Sequence, residues 1–263
     1  MKNFIIAIIA MFIALHCGAQ SFTELCEEGK RKSREGNYRQ AAELFLQASG
    51  AAKSDNERIF ALSSRGHALR VTGDKEKAAE SYAHALAIDS TQVELLTQMG
   101  NIMLECDSAT AAIKYYNKIL EQEPRNRGIL LFRAYAHTLT GNFKAAKIDY
   151  LKTISLDSGD KEARLGLALL YQKEGNTNDC LMMLETLIDE HPHDAELYVA
   201  RCNIEREQQQ HELALQDIDR AIELSPRKAE YHIIRTEILQ KMGKRQAAQK
   251  SRATANRLAG TPK

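Results

Sequence analysis

The chain has 263 residues, 44% hydrophobic and 27% charged, with a formal net charge of +1. That length supplies ample apolar material for a core, and the even charge balance gives no general basis for binding nucleic acid. Only 4 prolines and no tryptophan are present, while Ala, Leu, Glu, Lys, Arg and Gln abound, so little interrupts helix.

Residues 1–19 read as a cleavable export signal. Lys2 gives a minimal positive start, and Phe4 to Leu15 is an unbroken apolar run of 12 residues, shorter than the roughly 20 a membrane span needs. Cys17-Gly18-Ala19 then offers small residues for cleavage before Gln20. The competing outcome is lipidation at Cys17, as in bacterial lipoproteins, although the bulky His16 stands where a small residue is favoured. Both outcomes export the chain, and the expectation is a periplasmic or envelope-associated bacterial protein. Four cysteines remain after cleavage, Cys26, Cys106, Cys180 and Cys202, without a CxxC pattern. Their contexts predict buried small side chains, with a Cys180–Cys202 bridge as the alternative.

From Phe22 onward the chain repeats. Units beginning at Ile59, Val93, Arg127, Lys161, Ala195 and Ala229 are spaced evenly by 34 residues, and one more fits from Phe22, ahead of an insertion around Asn56-Glu57-Arg58. The eighth place is always small: Gly29, Gly66, Gly100, Ala134, Ala168, Cys202 and Thr236. So is the twentieth, from Ala41 and Ala78 through Cys180 to Ala248. The twenty-fourth is large and apolar (Phe45, Tyr82, Tyr116, Tyr150, Leu184, Ile218) until Arg252 ends the series. Glycine dominates the fifteenth place, where a helix ends in a left-handed residue, and Pro124, Pro192 and Pro226 follow the second helix. This register predicts pairs of antiparallel helices that touch where both side chains are small, with large residues filling the space between pairs. One such pair cannot bury its apolar face, but a stack can.

The stretches "GNYRQAAELFLQA", "GDKEKAAESYAHALAID" and "GNFKAAKIDYLKTISLD" resemble the turn and second helix of the tetratricopeptide repeat, and the resemblance covers residues 22 to about 262. It implies an all-α, right-handed α-solenoid of about seven hairpins, 14 helices, over residues 20–263, with the first helix of each hairpin lining a concave groove. The family's aromatic at the fourth place is missing: Leu25, Leu62, Leu96, Leu130, Arg164, Tyr198 and His232 stand there, which weakens packing in repeats five and seven. The last repeat reads as a polar cap, since from Lys241 onward there are seven Lys or Arg and no acid. A basic docking surface is the alternative for that end.

Catalytic motifs are missing: no GxSxG, Walker loop, HExxH or GxGxxG after a strand. His191-Pro192-His193 falls in an inter-repeat turn, so no metal and no cofactor is expected, and His137 reads as a packed side chain. Arg133 with Asp149, and Arg201 with Asp217, recur at the seventh and twenty-third places and predict structural ion pairs. The family's two-carboxylate clamp, which holds a chaperone's C-terminus, is missing: its places hold Cys26, Lys30, Ser64, Glu94 and Gln98. The groove positions of repeats one and two are mostly polar, Lys30, Ser33, Ser63, His67 and Arg70. Those of repeats three to five are apolar: Asn101, Leu104, Leu131, Tyr135, Leu139, Leu165 and Leu169. The reading is a non-enzymatic scaffold that binds a protein or peptide there, with Asn101 bonding the partner's backbone. Curvature or self-association covering those leucines is the other reading. Membrane contact would require lipidation at Cys17 or the basic C-terminus.

Overall fold

The structure is a computed structural model that describes residues 20–260. The expected signal and the Cys17 lipidation site lie outside the described residues. The described residues form fourteen helices and no strand, arranged as seven antiparallel pairs. In chain order these are α1 (Phe22–Arg34) with α2 (Tyr38–Ala51), α3 (Asp55–Val71) with α4 (Lys75–Ile88), and α5 (Val93–Glu105) with α6 (Ala109–Gln122). Then follow α7 (Arg127–Leu139) with α8 (Phe143–Leu156), α9 (Lys161–Lys173) with α10 (Thr177–Glu190), α11 (Ala195–Glu207) with α12 (His211–Leu224), and α13 (Ala229–Lys241) with α14 (Arg245–Ala259). None of these helices is long and apolar enough to cross a membrane.

Side-chain caps fix many of the helix starts. Ser21 Oγ accepts from the Glu24 N–H while Glu24 reaches back to the Ser21 N–H, a reciprocal cap on α1. Ser54, Asp74, Asn142, Asp160 and Asp194 cap later helices through one N–H each. The Ser54 cap corrects one expectation. Asn56-Glu57-Arg58, read as an insertion between repeats, forms the first turn of α3 instead. Every turn inside a hairpin carries one left-handed residue, Gly36, Gly73, Asp107, Gly141, Gly175, Gln209 or Gly243. Asp107 (φ 55°) and Gln209 (φ 60°) adopt it at some steric cost.

The small twentieth residues are sealed between helices: Ala41, Ala78, Ala112, Ala146, Cys180 and Ala214 are all fully inaccessible. The large twenty-fourth residues, Phe45 through Ile218, are buried too, whereas Arg252 in the last helix is exposed. Cys26, Cys180 and Cys202 are buried and all four described cysteines are free thiols. Cys106 departs from expectation by being exposed, because it caps the end of α5 rather than facing a partner helix.

The chain divides into two compact units between Ile129 and Leu130. In unit 1 the core runs from Phe45 through Leu62 and Tyr82 to Ile102, and Phe45, Tyr82 and Tyr116 each lie against the glycine at the eighth place of their own hairpin. A methyl on Gly29 would fall 2.9 Å from Phe45 and one on Gly66 2.7 Å from Tyr82; on Gly100 it would run into Tyr116. In unit 2 the eighth place is Ala134, Ala168, Cys202 and Thr236, and the packing changes. The Tyr150 ring lies against Gly166 of the following hairpin while sharing a cluster with Ala134 and Ala146 of its own, and Leu184 and Ile218 replace rings in the next two.

A second alternation runs through the hairpins at the seventh and twenty-third places. Arg133 makes a two-bonded ion pair with Asp149, both contacts 2.7 Å, and Arg201 does the same with Asp217 at 2.7 and 2.8 Å. Arg65 donates to Ser81 at 2.8 Å in the equivalent place. Met99 with Tyr115 and Leu167 with Met183 fill those places with apolar groups. The last hairpin has Ser251 there, and its Arg235 turns to Asp219 of the hairpin before. The fourth place is filled by buried Leu25, Leu62, Leu96 and Leu130, then by Arg164, which ion-pairs with Glu190 instead of packing.

Candidate binding surfaces on the first helices

Ligand-facing positions on a helix hairpin are those of the first helix that point away from the second. At the fifth, ninth and thirteenth places, spaced i, i+4, i+8, they form one stripe per helix. On α7 that stripe is Leu131, Tyr135 and Leu139, and on α9 it begins Leu165 and Leu169. Tyr135 is 51% exposed, Leu139 54% and Leu169 39%. Leu131 and Leu165 differ from the expectation. Both are half-buried, because they reach down into the clusters around Tyr150 and Leu167 and around Cys180 and Ile204. They form the floor of the stripe, while the other three stand out from it. Phe132, beside Leu131, is 39% exposed and was missed by a reading confined to the stripe positions.

Asn101 and Leu104 belong to unit 1 rather than with these five. Both are half-buried on α5. The Tyr116 hydroxyl donates to Asn101 Oδ1 at 2.9 Å, so that oxygen also ties the hairpin's own two helices.

Unit 1 contains a cavity that sequence reasoning passed over. It holds about 660 Å³ between α1, α3 and α5, with Lys30, Ser63, His67 and Gln98 on its walls and the Phe45 and Tyr82 rings lining it. Phe60 forms one side, held edge-on by Phe22 at 6.5 Å and capped by the Lys30 ammonium at 5.3 Å. Polar first-helix residues marked this face as unpromising in the sequence. The rings behind them come from the second helices and from the second place of the repeat, Phe60 on α3, which a tally of stripe positions does not count. The lining charges balance, Glu27 and Glu94 against Lys30 and Arg34, and Lys30 pairs with Glu27 at 2.9 Å.

Titratable groups that are buried do structural work. Burial pushes the Cys180 thiol up to about 11 and the Cys202 thiol to about 12, the opposite of what a nucleophilic cysteine needs. Burial lowers His137 below the usual imidazole value. Glu205 is pushed up to about 7, chiefly by burial and secondly by the nearby Asp217 charge, with Arg201 opposing. Residues His191 to Asp194 form the turn before α11, where Asp194 caps the helix and binds Lys161 at 2.7 Å. Among the described residues no three His, Cys, Asp or Glu side chains are grouped to hold a metal.

Seven hairpins with small residues at their crossings and exposed side chains on their first helices define a helical repeat protein of the partner-binding type. The chain is a tetratricopeptide-repeat protein: residues 61–92 and 165–229 match family models described as tetratricopeptide repeat. Among solved structures it is similar to a tetratricopeptide repeat protein from Parabacteroides merdae, at 24% identity and a TM-score of 0.82, covering 93% of this chain and 95% of that one. It also resembles YrrB, described as a TPR protein with an unusual peptide-binding site, at 21% identity and a TM-score of 0.52, over 70% of this chain and 94% of that one. A curated relative is the human protein O-mannosyl-transferase TMTC1, 26% identical over 169 residues, which are 63% of this chain and 19% of that protein. The chain spans 11% to 29% of the length of the curated relatives it matches. At these identities the structural likenesses establish the fold.

Proposed function

We propose that the protein is a non-catalytic scaffold of the bacterial cell envelope that binds a segment of a partner protein along its first-helix face. One observation carries this reading: Tyr135, Leu139 and Leu169 stand exposed along adjacent first helices of unit 2, above a floor of Leu131 and Leu165. Large apolar side chains grouped on a surface mark a place where another chain removes them from water. A partner helix or extended segment would set apolar anchors between α7 and α9. Among the described residues the buried thiols Cys26, Cys180 and Cys202 and the paired Arg133 and Arg201 serve packing, which suits a scaffold. Support for the envelope comes from the apolar run Phe4–Leu15 and the small residues up to Ala19, with tethering through Cys17 as the variant form.

The cavity of unit 1 favours a second reading, in which a partner side chain enters between Phe60 and Tyr82. Affinity capture from an envelope extract separates the two. The chain carrying Tyr135→Glu and Leu169→Glu is expected to lose a protein that the unmodified chain retains, with helicity by circular dichroism unchanged. A Ser63→Trp chain, whose indole occupies the cavity, is expected to keep it. Loss with Ser63→Trp alone would move the site to unit 1, and retention by both variants would overturn both readings.

A further inference from the structure

The second helices of the fourth and fifth hairpins carry a face that the first-helix reading does not use. At the twenty-second place the other hairpins have Glu43, Glu80, Lys114, Gln216 and Lys250. The fourth and fifth have Ile148 and Met182, 58% and 60% exposed, the two most exposed large apolar side chains among the described residues. Leu151, one turn beyond Ile148 on the same side, adds to the patch at 47%.

Charge is sorted around this apolar centre. Helix α8 carries Lys144, Lys147 and Lys152, and its one acid, Asp149, is buried against Arg133. Helix α10 carries Asp179, Glu185, Asp189 and Glu190 and no base. Two of these charges are engaged inside the protein: Lys147 lies 4.4 Å from the centre of the Tyr171 ring, and Glu190 is held by Arg164. Lys144, Lys152, Asp179, Glu185 and Asp189 form no ion pair among the described residues. The outcome is a basic helix and an acidic helix with an apolar centre shared between them. Both flank α9, where Tyr150 of α8 and Met183 of α10 enter the same cluster.

That pattern is complementary to itself. Let a two-fold axis run between α8 and α10, along them and in the plane of the face. It lays α8 of each copy on α10 of the other, pointing the same way, so that corresponding places meet. Ile148 then covers Met182, Lys144 (eighteenth place) comes beside Asp179 (nineteenth), and Lys152 (twenty-sixth) beside Glu185 (twenty-fifth). The operation gives each contact twice, as a closed symmetric dimer requires. Setting α8 on α8 would instead oppose lysine to lysine and acid to acid, so the charges also exclude the wrong arrangement.

We infer that two copies of this chain associate through α8 and α10, leaving the first-helix face of each copy open. The mass of the full chain in solution, from light scattering or sedimentation equilibrium over a wide concentration range, is expected to be that of a dimer in exchange with monomer. Met182→Glu places an acid at the centre and is expected to weaken association by about tenfold or more, with helicity retained. Charge reversal gives the sharper test. A chain with Lys144→Glu and Lys152→Glu has two acidic helices, and a chain with Asp179→Lys and Glu185→Lys has two basic ones. Each alone is expected to be monomeric, and an equal mixture is expected to form a one-to-one dimer. A wild-type chain that stays monomeric throughout, or a mixture that fails to pair, overturns the proposal; so does a Met182→Glu chain that dimerises like the wild type, as it would if another face held the copies together.

Discussion

Units 1 and 2 solve one packing problem differently. Each hairpin must let two helices approach at the eighth and twentieth places and then fill the space beside them. Unit 1 does it with rings on glycine: Phe45 on Gly29, Tyr82 on Gly66 and Tyr116 on Gly100. Unit 2 has a side chain at the eighth place of every hairpin. Tyr150 meets Gly166 of the next hairpin and clusters with Ala134 of its own, aliphatic Leu184 and Ile218 follow, and two arginine–aspartate pairs tie the helices together. The comparison teaches that the repeat constrains volume and closeness, not residue type. It also sorts sensitivities, since unit 1 depends on missing atoms and unit 2 on paired charges.

Breaking a charge pair in unit 2 should have the largest effect. Arg133→Leu leaves Asp149, which is 2% exposed, without its two guanidinium bonds. Stranding a buried carboxylate costs about 3 kcal/mol, and the arginine's own partial exposure keeps the value at the lower end of that class. The double change Arg133→Leu with Asp149→Leu is expected to recover most of the loss, because the equivalent places in neighbouring hairpins are already apolar. Urea denaturation followed by hydrogen exchange would check both, with the loss confined to residues after Leu130. A double variant as unstable as the single one would mean that the pair is more than a geometric tie.

The corresponding break in unit 1 is Gly66→Ala. Its methyl would sit 2.7 Å from Tyr82 Cε1, so the buried ring, 1% exposed, must shift from its place. Overpacking of this kind costs about 2 kcal/mol. Unit 2 already carries that methyl as Ala134, so Ala134→Gly is expected to cost about 1 kcal/mol at most, through helix propensity. Thermal melts of the two variants should differ accordingly. Equal losses would mean that the eighth place is used alike in both units.

These differences explain what the sequence could and could not disclose. The hairpins were legible because their spacing depends on small residues at fixed places, and Ala41 or Ala146 serves one purpose wherever it recurs. The Arg133–Asp149 pair was legible too, since its sixteen-residue separation recurs at Arg201 and Asp217. The contact of Tyr150 with Gly166 was not, because that glycine stands at the sixth place of the next hairpin, where no other repeat has one. The unit 1 cavity was hidden for a related reason: its rings come from second helices, behind first-helix residues that read as polar. Leu131 and Leu165 looked the same as Leu139 and Leu169, and only their depth beside Tyr150 and Ile204 separates floor from rim.

A buried acid gives unit 2 a pH dependence that can be tested. Glu205 on α11 is 6% exposed, and its Oε2 has no hydrogen-bond partner. The groups facing it are Arg201 on its own helix and Asp217 on α12, and Arg201 already spends its guanidinium on Asp217. Glu205 is therefore held up to about 7, against an ordinary carboxylate value of 4.5. A raised acid binds its proton more tightly folded than unfolded, so the folded state is penalised as pH rises through 4.5 towards 7, and the penalty is complete above that range. Discounted for solvent screening, it amounts to about 1–2 kcal/mol. Glu205→Gln keeps the shape and removes the charge. It is expected to leave stability nearly unchanged at pH 4.5 and to raise it by that amount at pH 8, read as the difference between denaturation midpoints at the two values. A gain that is equal at both pH values would show that Glu205 is ionised throughout, and that Arg201 neutralises both acids at once.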